Sequence, residues 1–354
     1  MKKQTILATG TGALAALGLL AAAAAATPAA ARDLTVVSWG GAYQEAQQKI
    51  YFKPFMEQSG TKMNEESWDG GIGVLRAKVQ GGNADWDVVQ VESEELALGC
   101  DEGLFEKLDY SKIGGKDAYL PAAVNDCGVG AIVYDFVLAY DGDKLKDGPK
   151  NWADFFDTKK FPGKRALRQG PKTNLEIALI ADGVAPKDVY NVLKTPEGVD
   201  RAFKKLDQIK PNLIFWKAGA QPPQLLASGE VAMTSAYNGR VDAANEKDKK
   251  NFKKSWKGAL YTIDSWVVLK GSPNKDGAYK YLDFVGKPEN QKKLPDYISY
   301  GVTNKAATKE IDPKLLSNLP TAPENIEDAV ELNAAFWLEN IDNLNERFNK
   351  WAAQ

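Results

Sequence analysis

LTVVSW, residues 34–39, is a short apolar and β-branched run that ends at Gly40 and Gly41. A run of this kind with a glycine exit is typical of a buried strand. Residues 43–59 then carry apolar side chains at roughly helical spacing, and WDVVQV, residues 86–91, is a second strand-like run. Strand, helix and strand in this order predict a parallel α/β unit near the start of the chain.

Later segments extend the α/β pattern over the rest of the chain. VGAIVYDFVLAY, residues 129–140, exceeds an ordinary strand and predicts one strand, or a pair, running from a first lobe into a second. VAMTSAY, residues 231–237, and LYTIDSWVVL, residues 260–269, predict two further strands. Residues 276–285 and 326–351 are amphipathic and predict helices.

The N-terminus has the features of a secretory signal peptide. Lys2 and Lys3 precede an apolar run over residues 12–26, and three alanines follow at residues 29–31. We expect cleavage there, so that residues 1–31 are removed and the protein is exported. A retained N-terminal anchor is the alternative, although the run is shorter and richer in alanine than a membrane span of roughly 20 strongly apolar residues. The remaining chain is long enough for two domains.

The composition argues against several classes of function. The chain has no histidine, and its 45 basic and 47 acidic residues give a net charge of −2. Without histidine, Ser-His-Asp triads, Cys-His pairs and His-based zinc sites are absent. Without a basic surplus, nucleic-acid binding is not favoured. We therefore expect no catalytic residue, no metal, no cofactor and no nucleic-acid partner.

Cys100 and Cys127 are the two cysteines of the chain. An even and sparse cysteine count in an exported protein predicts one disulfide. The alternative is a pair of free buried thiols.

Four segments, spread over nearly the whole mature chain, resemble the spermidine/putrescine-binding family of periplasmic solute-binding proteins. In chain order they are LTVVSWGGAY at residues 34–43, ADWDVVQVESEEL at 84–96, LLASGEVAMTSAYNGR at 225–240, and LYTIDSWVV at 260–268 with DYISYGVTNKAA at 296–307. NWADFF, residues 151–156, fits the same order. No single motif decides the match, but their colinearity is strong.

The resemblance implies an α/β fold of the two-lobed, type II periplasmic binding protein class, with mixed sheets flanked by helices and crossover hinge strands. We expect residues 1–31 to be the signal peptide and residues 32–141 plus 258–310 to form lobe 1. Residues 142–257 plus 311–354 would form lobe 2. A ligand would be held between the lobes.

The resemblance also implies aromatic walls around an alkyl-amine chain and carboxylates at its ammonium ends, which replace the hydration lost on burial. Asp264 matches the carboxylate that binds an ammonium group, and Glu92 matches a polar contact after the second strand. Each residue has a structural alternative, such as a core aromatic or a turn cap. The candidate ligand-binding residues are Trp39, Gly40, Trp68, Glu92, Trp216, Tyr237, Arg240, Asp264 and Tyr300.

The chain departs from the family pattern in ways that bear on the ligand. Gly40 and its two successors replace acidic and aromatic contacts, and QGPKT, residues 169–173, has no acid where carboxylates are expected. Arg240 follows Tyr237, Asn238 and Gly239, and Arg168 lies just before residues 169–173. An arginine that reaches the cleft can hold a carboxylate bidentately. These departures favour an alternative to the polyamine: a zwitterion such as γ-aminobutyrate, whose carboxylate an arginine would bind. A salt bridge from Arg240 to Asp242 or Glu246 is the structural alternative for that arginine.

The sequence therefore predicts the substrate-binding component of an ABC importer, capturing a polyamine or related small amine in the interlobe cleft. The alternative is a binding protein for a zwitterionic ω-amino acid. A carboxylate-based enzyme using Glu92 and Asp264, and a sensor or adhesion module, are the remaining alternatives. We expect a periplasmic monomer that closes on its ligand and docks on an ABC permease in the inner membrane.

Overall fold

The computed structural model describes residues 32–81 and 85–354. The predicted signal peptide, residues 1–31, lies outside the described residues. The strands are, in chain order, β1 Leu34–Ser38, β2 Met63–Ser67, β3 Val88–Val91, β4 Val124–Asn125, β5 Gly128–Asp141, β6 Arg165–Arg168, β7 Leu213–Trp216, β8 Met233–Tyr237, β9 Phe252–Val268 and β10 Val330–Glu331.

Helices cover much of the rest of the described chain. The α-helices are α1 Gly41–Gln47, α2 Lys53–Ser59, α3 Ile72–Gln80, α4 Ser93–Asp101, α5 Trp152–Phe156, α6 Asn174–Ala181, α7 Val189–Leu193, α8 Pro196–Asp207, α9 Gln221–Ser228, α10 Asn238–Asp248, α11 Lys275–Gly286, α12 Pro288–Gln291, α13 Lys305–Lys309, α14 Pro313–Leu316, α15 Pro323–Ile326 and α16 Ala334–Ala353. A π-helix, Gln48–Phe52, joins α1 to α2, and short 3-10 helices are Tyr110–Lys112, Lys116–Ala118, Pro121–Ala123, Pro186–Asp188, Lys210–Asn212 and Leu294–Asp296. No helix in this part of the chain combines the length and apolar character needed to cross a bilayer.

The parallel α/β unit at the start of the chain is confirmed. β1 is wholly buried and pairs in parallel with both β2 and β3. The sequence prediction missed β2, whose residues Met63–Ser67 are largely polar and partly or fully exposed. Strands at the edge of a sheet lack the apolar run that marks a buried strand, because one side faces solvent.

Two long antiparallel strands, β5 and β9, lie at the centre of the sheet. The strand order is β2-β1-β3-β9-β5-β8-β6-β7. β3 pairs with the C-terminal end of β9, whereas β8 pairs with the C-terminal half of β5. The long apolar run is thus a single strand rather than a pair, and β5 and β9 connect the two groups of strands in a mixed sheet. The lobe boundaries stay a prediction.

The disulfide between Cys100 and Cys127 is present, with Cα atoms 5.7 Å apart. It ties the last turn of α4 to the turn before β5. Cys127 is buried in a smaller apolar cluster that includes Trp68, Trp86 and Phe105. The alternative of two free thiols is therefore wrong.

The C-terminal helix starts later than its amphipathic pattern suggests. β10 pairs with β9 before α16 begins, and the Asn333 side chain caps α16 by accepting a hydrogen bond from the Phe336 amide at 2.9 Å. Trp337 on α16 donates its indole N–H to the buried Glu176 at 2.8 Å. These contacts fix α16 against α6.

Candidate functional site

A small cavity, partly open to solvent, lies beside the central strands. Its walls come from segments that are far apart in the chain, because the C-terminal ends of β1, β3, β6 and β8 meet there beside the interior of β5 and β9. The lining residues are Trp39, Tyr43, Trp68, Asp69, Glu92, Ile132, Tyr134, Arg168, Lys217, Gly219, Tyr237, Arg240, Asp264 and Tyr300.

All of the residues proposed from the sequence line this cavity except Gly40 and Trp216. Gly40 lies one residue beyond the wall and offers its carbonyl oxygen to Arg240 at 2.9 Å. Trp216 is fully buried and packs behind Tyr237, with ring centroids 5.5 Å apart. Trp216 therefore supports the wall, and its direct contact with a ligand stays a prediction.

Aromatic rings cover two sides of the cavity. Trp39 stacks on Trp68 at a centroid distance of 5.2 Å and an interplanar angle of 14°. On the other side, Tyr134 packs edge-on against Tyr237 at 5.4 Å and against Tyr300 at 6.1 Å. Aromatic faces of this kind attract ammonium groups and exclude water from an alkyl chain.

Asp264 lines the cavity with a buried carboxyl group that is only partly hydrogen-bonded. It lies on β9 opposite Ile132 and its accessible surface is only 2 %. Oδ2 accepts a long hydrogen bond of 3.5 Å from Gln90, and Oδ1 has no hydrogen-bond partner within the described part of the chain. Burial raises the pKa of this carboxyl well above its ordinary value, and the charge of Glu92 raises it further. A cation bound at Oδ1 would stabilise the ionised form.

Arg240, near the start of α10, presents a guanidinium to the same cavity. Its Nη1 and Nη2 donate to the carbonyl oxygens of Gly40 at 2.9 Å and Trp39 at 3.1 Å. Its Nε is buried and has no acceptor among residues 32–81 and 85–354. Gly41 makes the approach possible, since it has a φ of 55° and an added Cβ would lie 2.6 Å from Nη1.

The proposed ion pair between Arg240 and Asp242 is not the pairing in the structure. Asp242 forms its salt bridge with Lys254 instead and also accepts a hydrogen bond from Asn318 at 2.8 Å. Tyr300 connects Arg240 to Asp264 electrostatically. Burial raises the pKa of Tyr300 to about 12, Arg240 opposes that rise, and Asp264 adds to it. The positive and negative groups of the cavity therefore both lie close to this tyrosine.

Glu92 is the other buried carboxylate of the cavity wall, and it is fully paired. Arg168 at the end of β6 binds it at 2.8 Å, and Lys172 forms a second ion pair with it. Burial alone would raise the pKa of the Glu92 carboxyl, but the charges of Arg168 and Lys172 outweigh it and hold the pKa below its ordinary value. Glu92 is thus neutralised by cations of the chain itself.

Several lining residues were missed by the sequence reasoning. Tyr43 and Tyr134 belong to an apolar helix face and a long apolar strand, where an aromatic residue usually fills the core. The alternation of β5 could have found these residues, because Ile132 pairs with Asp264 and Tyr134, two residues further along the strand, points to the same face as Ile132. Lys217 lies on an exposed connection without any such pattern.

Comparisons with known proteins agree on one kind of protein. Residues 51–324 match the family described as bacterial extracellular solute-binding protein. The gamma-aminobutyric acid-binding protein of Pseudomonas aeruginosa is 47 % identical over 331 residues, covering 94 % of both chains. The putrescine/cadaverine-binding protein of the same organism is 25 % identical, over 98 % of this chain and 96 % of that one. A solved structure of a GABA receptor superposes with a TM-score of 0.79 at 37 % identity, covering 91 % of this chain and 98 % of the other.

Proposed function

The chain belongs to the family of bacterial extracellular solute-binding proteins, and on that basis we propose that it captures a zwitterionic ω-amino acid such as γ-aminobutyrate for an ABC importer. The relatives and structural neighbours are solute-binding proteins and not enzymes. The carboxylate-based enzyme considered from the sequence has no support among them.

One observation carries the choice of ligand: the cavity contains one buried carboxylate without a cation and one buried guanidinium with an unused donor. Asp264 Oδ1 and Arg240 Nε are the two atoms concerned. A ligand with one ammonium and one carboxylate would satisfy both, whereas leaving either atom unpaired in a closed site costs free energy. The aromatic faces would cover the alkyl chain between the two charged ends.

A polyamine is the second candidate, and the 25 % identical putrescine/cadaverine-binding relative supports it. A diamine, however, calls for two carboxylates. Of the two buried carboxylates in the wall, Glu92 is already paired with Arg168 and Lys172, while the third acid, Asp69, is exposed to solvent. The charges of the cavity and the 47 % identical relative therefore favour the ω-amino acid.

The same contacts support a mechanism of ligand-driven closure. With the lobe boundaries predicted from the sequence, Asp264 belongs to lobe 1 and Arg240 to lobe 2. A zwitterion bound to both would join the lobes and stabilise the closed form over the open one. The closed protein would then deliver its ligand, in the periplasm, to an ABC permease of the inner membrane.

Calorimetry and thermal unfolding of the mature protein test this proposal. The ligands are γ-aminobutyrate, δ-aminovalerate, putrescine, cadaverine and spermidine, with Asp264→Asn as the matched control. We expect the ω-amino acids to stabilise the wild type by about 2.7 kcal/mol at about 100 times their Kd, and to leave the variant unchanged. Stabilisation by diamines alone would reject the ω-amino acid and restore the polyamine.

A further inference from the structure

Glu92 is surrounded by cations that come from a distant part of the chain. Arg168 Nη1 lies 2.8 Å from Glu92 Oε1, and Lys172 Nζ contacts both Glu92 Oε2 and a carboxylate oxygen of Glu94. The side chains of Glu92, Arg168 and Lys172 are only 5 %, 14 % and 8 % exposed. Ion pairs this deeply buried are costly to form, so their presence at a ligand cavity calls for a role beyond stability.

A strained turn follows Lys172 in the chain. Thr173 is fully buried and has a φ of 73°, a left-handed conformation that is unfavourable for a threonine. Such strain persists only where the surrounding structure enforces it, and it concentrates at binding sites. Thr173 turns the chain from Lys172 into α6, and Lys172 faces the N-terminus of α4.

The Glu92–Arg168 pair also lies at the boundary of two cavities. Both residues line the ligand cavity, and both line a second, larger cavity that is also partly open to solvent. The second cavity is bounded on its far side by α16, including Ile341 and Asn345. A ligand that extended past Glu92 would enter the second cavity. The Glu92–Arg168 ion pair blocks this extension.

We propose that Arg168 and Lys172 are specificity-determining residues: they occupy Glu92 with the chain's own cations and so restrict the site to short ligands with a single ammonium group. The inference deepens the proposed function, since it names what excludes a diamine from the cavity. A diamine with one end at Asp264 would bring its other end towards Arg168, where a like charge repels it and no buried carboxylate is free.

The double variant Arg168→Met, Lys172→Met tests the inference, because it leaves Glu92 as a free carboxylate and removes the repelling charges. Calorimetry is performed with putrescine, cadaverine and γ-aminobutyrate on the wild type and the variant. We expect the Kd for the two diamines to fall by about 30-fold, the lower end of what a desolvated charge pair contributes at an interface. Adding Glu92→Gln to the double variant should abolish that gain.

The absolute diamine affinity separates this role from a merely structural one. If Arg168 and Lys172 only held the protein closed, the double variant would bind every ligand more weakly and the diamine Kd would not improve, which would overturn the inference. Should the double variant fail to fold, as judged by circular dichroism, Lys172→Met alone is measured. That single variant is expected to shift the diamine Kd in the same direction by a smaller factor, and an unchanged value would overturn the inference as well.

The wild-type measurements keep the two proposals apart. Failure of the wild-type protein to bind γ-aminobutyrate would contradict the proposed function. The comparison of diamine Kd values between wild type and variant would still decide the role of Arg168 and Lys172. If the wild-type protein binds diamines as tightly as ω-amino acids, Arg168 and Lys172 do not exclude diamines from the cavity, and the inference is overturned.

Discussion

Asp264 on β9 and Asp135 on β5 are two buried carboxyls on the same pair of central strands, with 2 % and 1 % of their surfaces exposed. Burial raises the pKa of both well above the ordinary value, and in the described chain Asp264 has one carboxyl oxygen, and Asp135 two, without a hydrogen-bond partner. Only Asp264 borders the aromatic cavity. Asp135 has Lys254 as its nearest compensating charge. Burial and a raised pKa therefore do not by themselves identify a binding site. Asp264 is distinguished from Asp135 by its position in the wall of the cavity.

The largest expected effect distinguishes the two carboxyls directly. Asp264→Asn should weaken the binding of an ω-amino acid by about 100-fold or more, because the ligand ammonium loses a desolvated charge partner. Calorimetry measures the Kd. Affinity within a few-fold of wild type would show that Asp264 is as remote from the ligand as Asp135.

The neighbouring cations provide the next test. Arg240→Gln should weaken γ-aminobutyrate binding by about 30-fold, since the ligand carboxylate loses the guanidinium that lines the same cavity as Asp264. Lys254→Gln, the matched change beside Asp135, should leave the Kd unchanged because Lys254 pairs with Asp242 away from the cavity lining. Equal losses in both variants would argue for a general effect of net charge.

The pH dependence of affinity is expected to follow Asp264. Its pKa is raised in the free protein, so protonation competes with the ligand ammonium, and affinity falls as the pH falls. The slope can reach about tenfold per pH unit, the limit for one proton released on binding. Calorimetry in buffers of different ionisation enthalpy measures that proton. A wild-type affinity that does not change with pH would show that Asp264 does not bind the ligand ammonium.

The smallest effect on affinity is expected for Asp135→Asn, which should leave the Kd within about threefold of wild type, as for a change far from an interface. Its effect on stability has a defined sign. The folded state holds a proton on Asp135 that the unfolded state releases, so the free energy of unfolding falls as the pH rises between the unfolded and folded pKa values.

Between the unfolded and folded pKa values of Asp135, the free energy of unfolding of the wild type falls by up to about 1.4 kcal/mol per pH unit, and Asp135→Asn removes this fall. Urea unfolding at pH 5 and pH 8 should therefore show a flatter dependence in the variant than in the wild type. A variant that is destabilised at both pH values, or that loses ligand binding, would mean that Asp135 has an ionic role in the fold.

The sequence revealed those parts of the site that sit at strand ends. Trp39, Tyr237 and Asp264 follow or interrupt recognisable apolar runs, and the strands around them could be predicted for the same reason. Tyr134 could not be singled out, since an aromatic residue inside a long apolar strand looks like core. The polar edge strand β2 lacked the apolar run of a buried strand.

The pairing of Glu92 was beyond the reach of sequence reasoning for a different reason. Arg168 and Lys172 are 76 and 80 residues away in the chain. No local pattern shows which charges meet after folding, so the sequence predicted Glu92 only as a polar contact of the ligand. The choice between a diamine and an ω-amino acid depends on that contact, and the sequence accordingly left both open.

The disulfide between Cys100 and Cys127 limits how this sequence can vary among descendants. It draws α4 against β5, and at Gly128 an added Cβ would lie 2.7 Å from the Leu96 side chain and 3.2 Å from the Trp266 carbonyl oxygen. A side chain at residue 128 would have to displace the Leu96 side chain while the disulfide holds α4 in place. We therefore expect Gly128 and the two cysteines to vary together among descendants of this sequence.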